Sequence, residues 1–235
     1  MSGGLRDTLC IIIAMDRIKS ITLDNALPEV FVGAEKDAPL CHSRVWLQHL
    51  ELARPGHYMV IAESGTGKSS LCSFIYGSRR DYRGQICFDG VDIREYSVRD
   101  WCEIRRRHIS LLPQEMRLFP ELTAMENILI KNRLTDCYSE GEIMEMLARV
   151  EIDHKAGQRA GLLSIGQQQR VAIVRALCQP FDFIILDEPV SHLDSRNNAI
   201  VAALVTDVAT LRDAAVIATS VGNHLQLDSP QIIQL

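Results

Sequence analysis

A glycine-rich turn between an apolar strand and a helix carries the first recognisable chemistry. Its residues Ser64-Gly65-Thr66-Gly67-Lys68-Ser69 combine two glycines, three hydroxyls and one lysine. Glycines let successive backbone N–H groups close around phosphate oxygens. The N-terminus of the following helix adds partial positive charge at the same place. Lys68 can reach the outer phosphates of a nucleotide, and the Ser69 hydroxyl can coordinate Mg²⁺. The stretch matches the end of the phosphate-loop pattern G-x-x-x-x-G-K-[ST], with Ala62 where the first glycine falls. Ala is compatible there if the backbone is not left-handed. Residues Ser64 to Ser69, with Ser70 beside them, are the candidate binders of ATP and Mg²⁺.

A second constellation lies far down the chain. Phe183-Ile184-Ile185-Leu186 is an apolar run ending in Asp187-Glu188. Such a run reads as a buried strand delivering two acids at its C-terminal end. Paired with a phosphate loop, Asp187 would hold Mg²⁺ through water. Glu188 would polarise the attacking water or accept its proton.

These residues need a scaffold, and the pattern predicts one. Ile21-Thr22-Leu23, Val45-Trp46-Leu47 and residues 58–61 read as strands, with Pro55-Gly56 as a turn. Residues 69–76 read as a helix. Residues 84–90 read as a strand ending in an Asp-Gly hairpin turn. Thr123 with Glu126, and Ser139 with Glu142, have the spacing of capping boxes and mark helix starts in a helix-rich insert over 115–160. Residues 167–177 and 195–212 read as further helices, and residues 215–218 as another buried strand. Helices alternating with fully apolar strands predict an α/β fold around a mostly parallel sheet. The expected division is a core with an antiparallel β subdomain over 18–114 and 161–235, and a helical part over 115–160.

Composition narrows the function. The chain has 235 residues and a net charge of −5, a poor match to the phosphate backbone of a nucleic acid. Its seven cysteines are an odd number with no CxxC pair, which argues against a disulfide framework or a zinc site and for a reducing compartment. No apolar run approaches the roughly 20 residues of a membrane-spanning helix. Residues 1–15 read as an N-terminal extension. The run Arg105-Arg106-Arg107-His108 reads as a solvated helix face.

Further motifs carry a family resemblance. Leu163-Ser164-Ile165-Gly166-Gln167-Gln168-Gln169-Arg170 resembles the ABC signature L-S-G-G-Q-Q-Q-R, Pro113-Gln114-Glu115 resembles the Q-loop, and Ser191-His192-Leu193-Asp194 resembles the D-loop. In their order along the chain these motifs resemble those of ABC transporter ATP-binding subunits over about residues 18–235. Residues 118–127 are most similar to ATPases of lipoprotein-releasing and macrolide-export systems. The resemblance implies a P-loop NTPase core that dimerises head to tail on MgATP and drives transmembrane permease subunits, as a homodimer or an ABC heterodimer. Such a subunit sits on the cytoplasmic face of the plasma (inner) membrane and contacts the membrane only through its partner. The resemblance also implies that Ser164, Gly166, Gln167 and Asp194 serve the nucleotide held by the opposite protomer. Gln114 would bind Mg²⁺ or the attacking water. Phe31, from its place after the first strand, would stack on adenine.

Three positions depart from the family pattern: Ala62, Ile165 for a signature glycine, and Ser220 where the switch histidine normally stands. Ser220 can donate one hydrogen bond to a γ-phosphate but carries no charge. His224, four residues on, either folds back to substitute or lies at the surface. The expected activity is ATP hydrolysis, slowed by the missing histidine. The alternative is a nucleotide-gated regulatory module of a membrane complex with little hydrolysis. A DNA-repair type ABC ATPase is disfavoured, because no heptad run lies between the phosphate loop and the signature.

Overall fold

The computed structural model describes residues 17–34 and 40–235. The expected extension over 1–15 lies outside the described residues. Nearest the start, β1 (Ser20–Pro28) is flanked by β2 (His49–Ala53) and β4 (Tyr82–Phe88), and β5 (Val91–Asp92) completes an antiparallel sheet in the order β2-β1-β4-β5. The β4–β5 hairpin turns at Asp89-Gly90, with both residues at positive φ, as the sequence predicts.

The second sheet is parallel at every pairing, in the order β6-β7-β8-β3-β9. Its strands are β3 (Gly56–Ile61), β6 (Ile109–Leu112), β7 (Phe183–Asp187), β8 (Ala215–Ser220) and β9 (Gln231–Gln234). Alternate residues of β7 serve two different cores. Phe183 and Ile185 pack with α1 (Lys68–Ile75), α2 (Val98–Arg107) and the antiparallel sheet. Ile184 and Leu186 pack with α3 (Ala124–Asn132), α4 (Glu140–Arg149), α5 (Ile165–Leu177) and α6 (Ser195–Leu211). Burial on both faces explains why the strand is apolar at every position before its acids.

The helix starts follow their caps. Thr123, Ser139 and Ser164 each accept a hydrogen bond from the N3 amide, and the N3 side chains of Glu126, Glu142 and Gln167 answer at the N-cap amide. Helix α2 uses the same device with Asp100. Its sequence hides it, because only Trp101 and Ile104 are buried among four arginines.

Two expectations are corrected. Residues 45–47 form a turn rather than a strand, with Leu47 at φ 58°. The Ser43 hydroxyl accepts both the Val45 and Trp46 amides at 3.1 and 2.8 Å, which folds this segment inward. The run 105–108 is not a uniformly solvated face. Arg105 lies over the rings of Tyr76 and Trp101 and donates to the Tyr76 and Gly77 carbonyls, and His108 pairs with Asp182.

Asp182 anchors the start of β7. It is buried, and its carboxylate accepts from His108 Nδ1 at 2.7 Å, Arg17 Nε at 2.8 Å and the Ile18 amide at 2.8 Å. Burial alone would raise its pKa. The hydrogen bonds from His108, Arg17 and Ile18 outweigh burial and hold the carboxyl below its usual range. A depressed carboxylate stabilises the fold above its unfolded pKa, and that contribution is lost as pH falls through the folded value. Asp182→Asn should therefore destabilise the chain at neutral pH by about 3 kcal/mol, the cost of breaking a buried ion pair from one side. In chemical denaturation, the gap to wild type should narrow as pH falls below about 4.

Candidate nucleotide-binding site

The parallel sheet delivers the functional segments from the C-terminal ends of its strands. Between β3 and α1, the loop is shaped by Gly65 at φ 85° and by Gly67, the N-cap of α1, at φ 101°. A Cβ on Gly67 would stand 3.1 Å from both Phe31 Cε2 and Trp46 Cζ2, so this position takes no side chain. Trp46 Nε1 donates to the Thr66 carbonyl at 3.0 Å, and the Thr66 hydroxyl donates to the Glu63 carbonyl at 2.9 Å. The buried Trp46 thus supports the loop from beneath. Reading residues 45–47 as a strand concealed that role, and no sequence signal marks it. Ala62 is not among the residues with positive φ, so the missing first glycine leaves the backbone unstrained.

A cavity of about 370 Å³ opens above this loop, lined by Ser64, Gly65, Gly67, Lys68, Ser69 and Ser70, together with Val30, Phe31, Gln114 and Glu188. The ammonium of the buried Lys68 donates to the Glu63 carbonyl at 3.1 Å and stands 3.7 Å from Glu188 Oε1. Phe31 lies at the edge of the cavity, where an aromatic face could meet a base, and the exposed Val30 adjoins it. Ser69 has no hydrogen-bond partner for its hydroxyl among the described residues.

The acids stand where β7 ends. Asp187 pairs in register with Thr219 of β8, and the Thr219 hydroxyl donates to Asp187 Oδ1 at 2.7 Å. The same hydroxyl accepts the Glu188 amide at 3.2 Å. Thr219 therefore orients both acids, a role that its position in an apolar strand did not reveal. Glu188 sits at φ 51°, a left-handed conformation that costs a non-glycine residue about 1–3 kcal/mol. Its side chain is 17% exposed and opens to the cavity. The hard oxygen donors of Ser69, Asp187 and Gln114 suit Mg²⁺ rather than a soft metal.

The other expected site residues stand outside this cavity. Ser164 caps α5, and the Gln167 side chain is spent on the Ser164 amide at 2.9 Å. Ile165 projects outward, 48% exposed. A Cβ on Gly166 would stand 3.2 Å from the His192 carbonyl, so α5 approaches the 191–194 segment closely. Asp194 caps α6 by accepting the Asn197 amide at 2.8 Å, and that bond holds its carboxyl below the usual range. Ser220 is buried. Its hydroxyl donates to the Asn223 carbonyl at 2.9 Å and accepts the Gly222 amide at 3.1 Å. His224 does fold back, with Nδ1 2.8 Å from Ser220 Oγ, yet its ring remains at the surface.

Gln114, which reaches the cavity, is followed by two consecutive left-handed residues, Met116 at φ 56° and Arg117 at φ 50°. Arg175 of α5 donates to the carbonyls of both.

A strand–loop–helix phosphate cradle, with two acids at the end of a parallel strand that only β8 separates from it, defines a P-loop nucleotide-binding domain. Comparison with known proteins places it further. The family model for ABC transporters matches residues 48–191. An uncharacterized ABC transporter ATP-binding protein of Mycobacterium tuberculosis is 35% identical over 174 residues, 73% of this chain and 53% of that protein. The chain thus spans about half the length of that relative. The lipoprotein-releasing system ATP-binding protein LolD of Francisella tularensis is 32% identical over 165 residues, 68% of this chain and 71% of LolD. The ABC transporter ATP-binding protein YtrE of Bacillus subtilis is 32% identical over 176 residues, 74% of each chain. The dimeric post-hydrolysis structure of the ATP-binding cassette MJ0796 with ADP and phosphate superposes with a TM-score of 0.65 at 25% identity, covering 75% of this chain and 79% of that one. The chain belongs to the ABC transporter ATP-binding family.

Proposed function

We propose that this chain is an ATP-hydrolysing subunit of an ABC transporter, working as a head-to-tail dimer on MgATP. One observation carries the reading: Lys68, Ser69, Gln114 and Glu188 line a single cavity, with the Glu188 carboxylate 3.7 Å from the Lys68 ammonium. The loop amides and Lys68 hold the phosphates of ATP. Ser69 and Asp187, with Gln114, would hold Mg²⁺, whose charge would offset that of the phosphates. Glu188 orients a water against the γ-phosphate and takes its proton.

Ser164, Gly166 and the start of α5 stand outside the chain's own cavity, and the positive N-terminal end of that helix would meet the phosphate held by a second protomer. Residues 18–114 and 161–235 form the nucleotide-binding core with its β subdomain, and residues 115–160 the helical part. That helical part offers the docking surface for a transmembrane permease. Phe119, Ile130 and Leu134 are exposed on it. Between them Lys131 has no ion pair among the described residues, and burial, then the neighbouring Arg175, push its pKa down to about 8. No helix among the described residues is long and apolar enough to cross a membrane.

The second reading, a nucleotide-gated regulator, is favoured by Ser220, whose hydroxyl turns into its own loop. Size-exclusion chromatography with light scattering separates dimerisation from turnover. Glu188→Gln should be monomeric alone and dimeric with ATP. A chain that stays monomeric with saturating ATP would sink the sandwich reading. A wild-type chain that dimerises but releases no phosphate would favour the regulator.

A further inference from the structure

Two side-chain amides reach the turn after Glu188 from opposite sides. Gln169 of α5 is 2% exposed, and its Nε2 donates to the Glu188 carbonyl at 3.2 Å and to Ser191 Oγ at 3.3 Å. Its Oε1 accepts the His192 amide at 3.1 Å. Both of its N–H donors and its oxygen are thus engaged by residues 188–192. From the other direction comes Asn223, in the loop after β8. Its Nδ2 donates to the Val190 carbonyl at 2.8 Å and to the Leu193 carbonyl at 3.1 Å. Asn223 is itself held, because its oxygen accepts Asn198 Nδ2 at 3.2 Å. The buried Asn198 also donates to the His224 carbonyl at 2.7 Å.

The main chain gripped in this way begins at the left-handed Glu188. Such a conformation persists only where the surroundings over-determine it. Thr219 fixes the amide of Glu188, and Gln169 fixes its carbonyl. Without the Gln169 bond, the Glu188 carbonyl keeps only the long 3.4 Å bond from the Ser191 amide, so the strained turn is held less tightly and the carboxylate loses its aim. The Asn223 arm belongs to this chain's own loop. Where the family pattern has its switch histidine, the Ser220 hydroxyl ties down Gly222 and Asn223, and so presents the Asn223 amide to the turn.

We propose that Gln169 and Asn223 are positioning residues that clamp residues 188–193 from two sides and so set the orientation of Glu188. Movement of the signature helix α5 then reaches Glu188 through the Gln169 bond to its carbonyl, and movement of the loop after β8 reaches it through the Asn223 bonds to Val190 and Leu193. The proposal rests on the reading of Glu188 as the group that activates water.

Gln169→Leu, Gln169→Glu and Asn223→Leu test it. Gln169→Glu keeps an acceptor for the His192 amide but sets a carboxylate against the Glu188 carbonyl, so it should do no better than leucine. Each variant should lose about tenfold in kcat, the worth of one or two hydrogen bonds. The dissociation constant of a fluorescent ATP analogue should stay within about twofold, because no phosphate contact is touched. The double variant should lose less than the product of the two single losses, since both act on one turn. Hydrogen–deuterium exchange should show faster exchange at the His192 amide in Gln169→Leu and at the Leu193 amide in Asn223→Leu. An unchanged kcat in all three variants overturns the proposal. So does a loss of kcat matched by an equal loss of nucleotide affinity, which marks a merely structural role. If the wild-type chain shows no turnover, the functional reading fails separately. The clamp is then judged on exchange, where unaltered protection of residues 188–193 overturns it.

Discussion

Glu188→Gln is expected to lower ATP turnover by about 10²–10⁴-fold, the usual contribution of a positioned general base. The amide keeps the shape of the carboxylate but cannot take a proton. Its main chain should not move, because the Glu188 amide is held by Thr219 and its carbonyl by Gln169. Nucleotide affinity should hold or rise, since replacing a carboxylate in the cavity removes repulsion from the γ-phosphate. Steady-state phosphate release beside equilibrium binding of a fluorescent ATP analogue checks both halves. Turnover within a factor of three of wild type would show that another group activates the water. Among the described residues, Glu188 is the one carboxylate lining the cavity.

Lys68→Ala should act at the other step. The ammonium is buried, and among the described residues its partners are the Glu63 carbonyl and the Glu188 carboxylate. Truncating one partner of a desolvated charge pair costs about 2–5 kcal/mol, or roughly 30-fold to several thousand-fold in Kd. ATP affinity should fall by that factor. The fold should survive, because α1 remains packed through Leu71, Phe74 and Ile75. Calorimetric titration with ATP, beside a melting curve, distinguishes lost binding from lost structure. A variant that binds ATP as wild type does would remove Lys68 from the phosphate site.

Much of this site could be read from residue order, and the reasons are physical. A phosphate loop needs glycines at positive φ and a helix start in consecutive positions, so Gly65, Gly67 and Lys68 announce themselves. The strand ahead of Asp187 is covered on both faces, so it shows as an unbroken apolar run. The capping boxes at Thr123 and Ser139 were equally plain, because the device uses residues three apart. What stayed hidden depends on contacts between distant segments. Trp46 looked like part of a strand, and only the fold carries its ring beneath Gly67. Thr219 looked like the end of a core strand until register set it beside Asp187. Gln169 read as one of three signature glutamines, yet it alone of them is fully buried and turned on the segment after Glu188. Asp182 lies just before the apolar run, and nothing local reveals that Arg17 and His108 converge on it.

Strand β7 acts as a ruler. Its five residues span about 17 Å at the usual strand rise. A fixed zero mark at Asp182 stands at one end, and the pointers Asp187 and Glu188 stand at the other. Close packing on both faces leaves the rod no room to slide, bow or rotate. An insertion or deletion of one residue within it would exchange the linings of the two cores and displace both pointers together. The length between the two ends of this strand is therefore set.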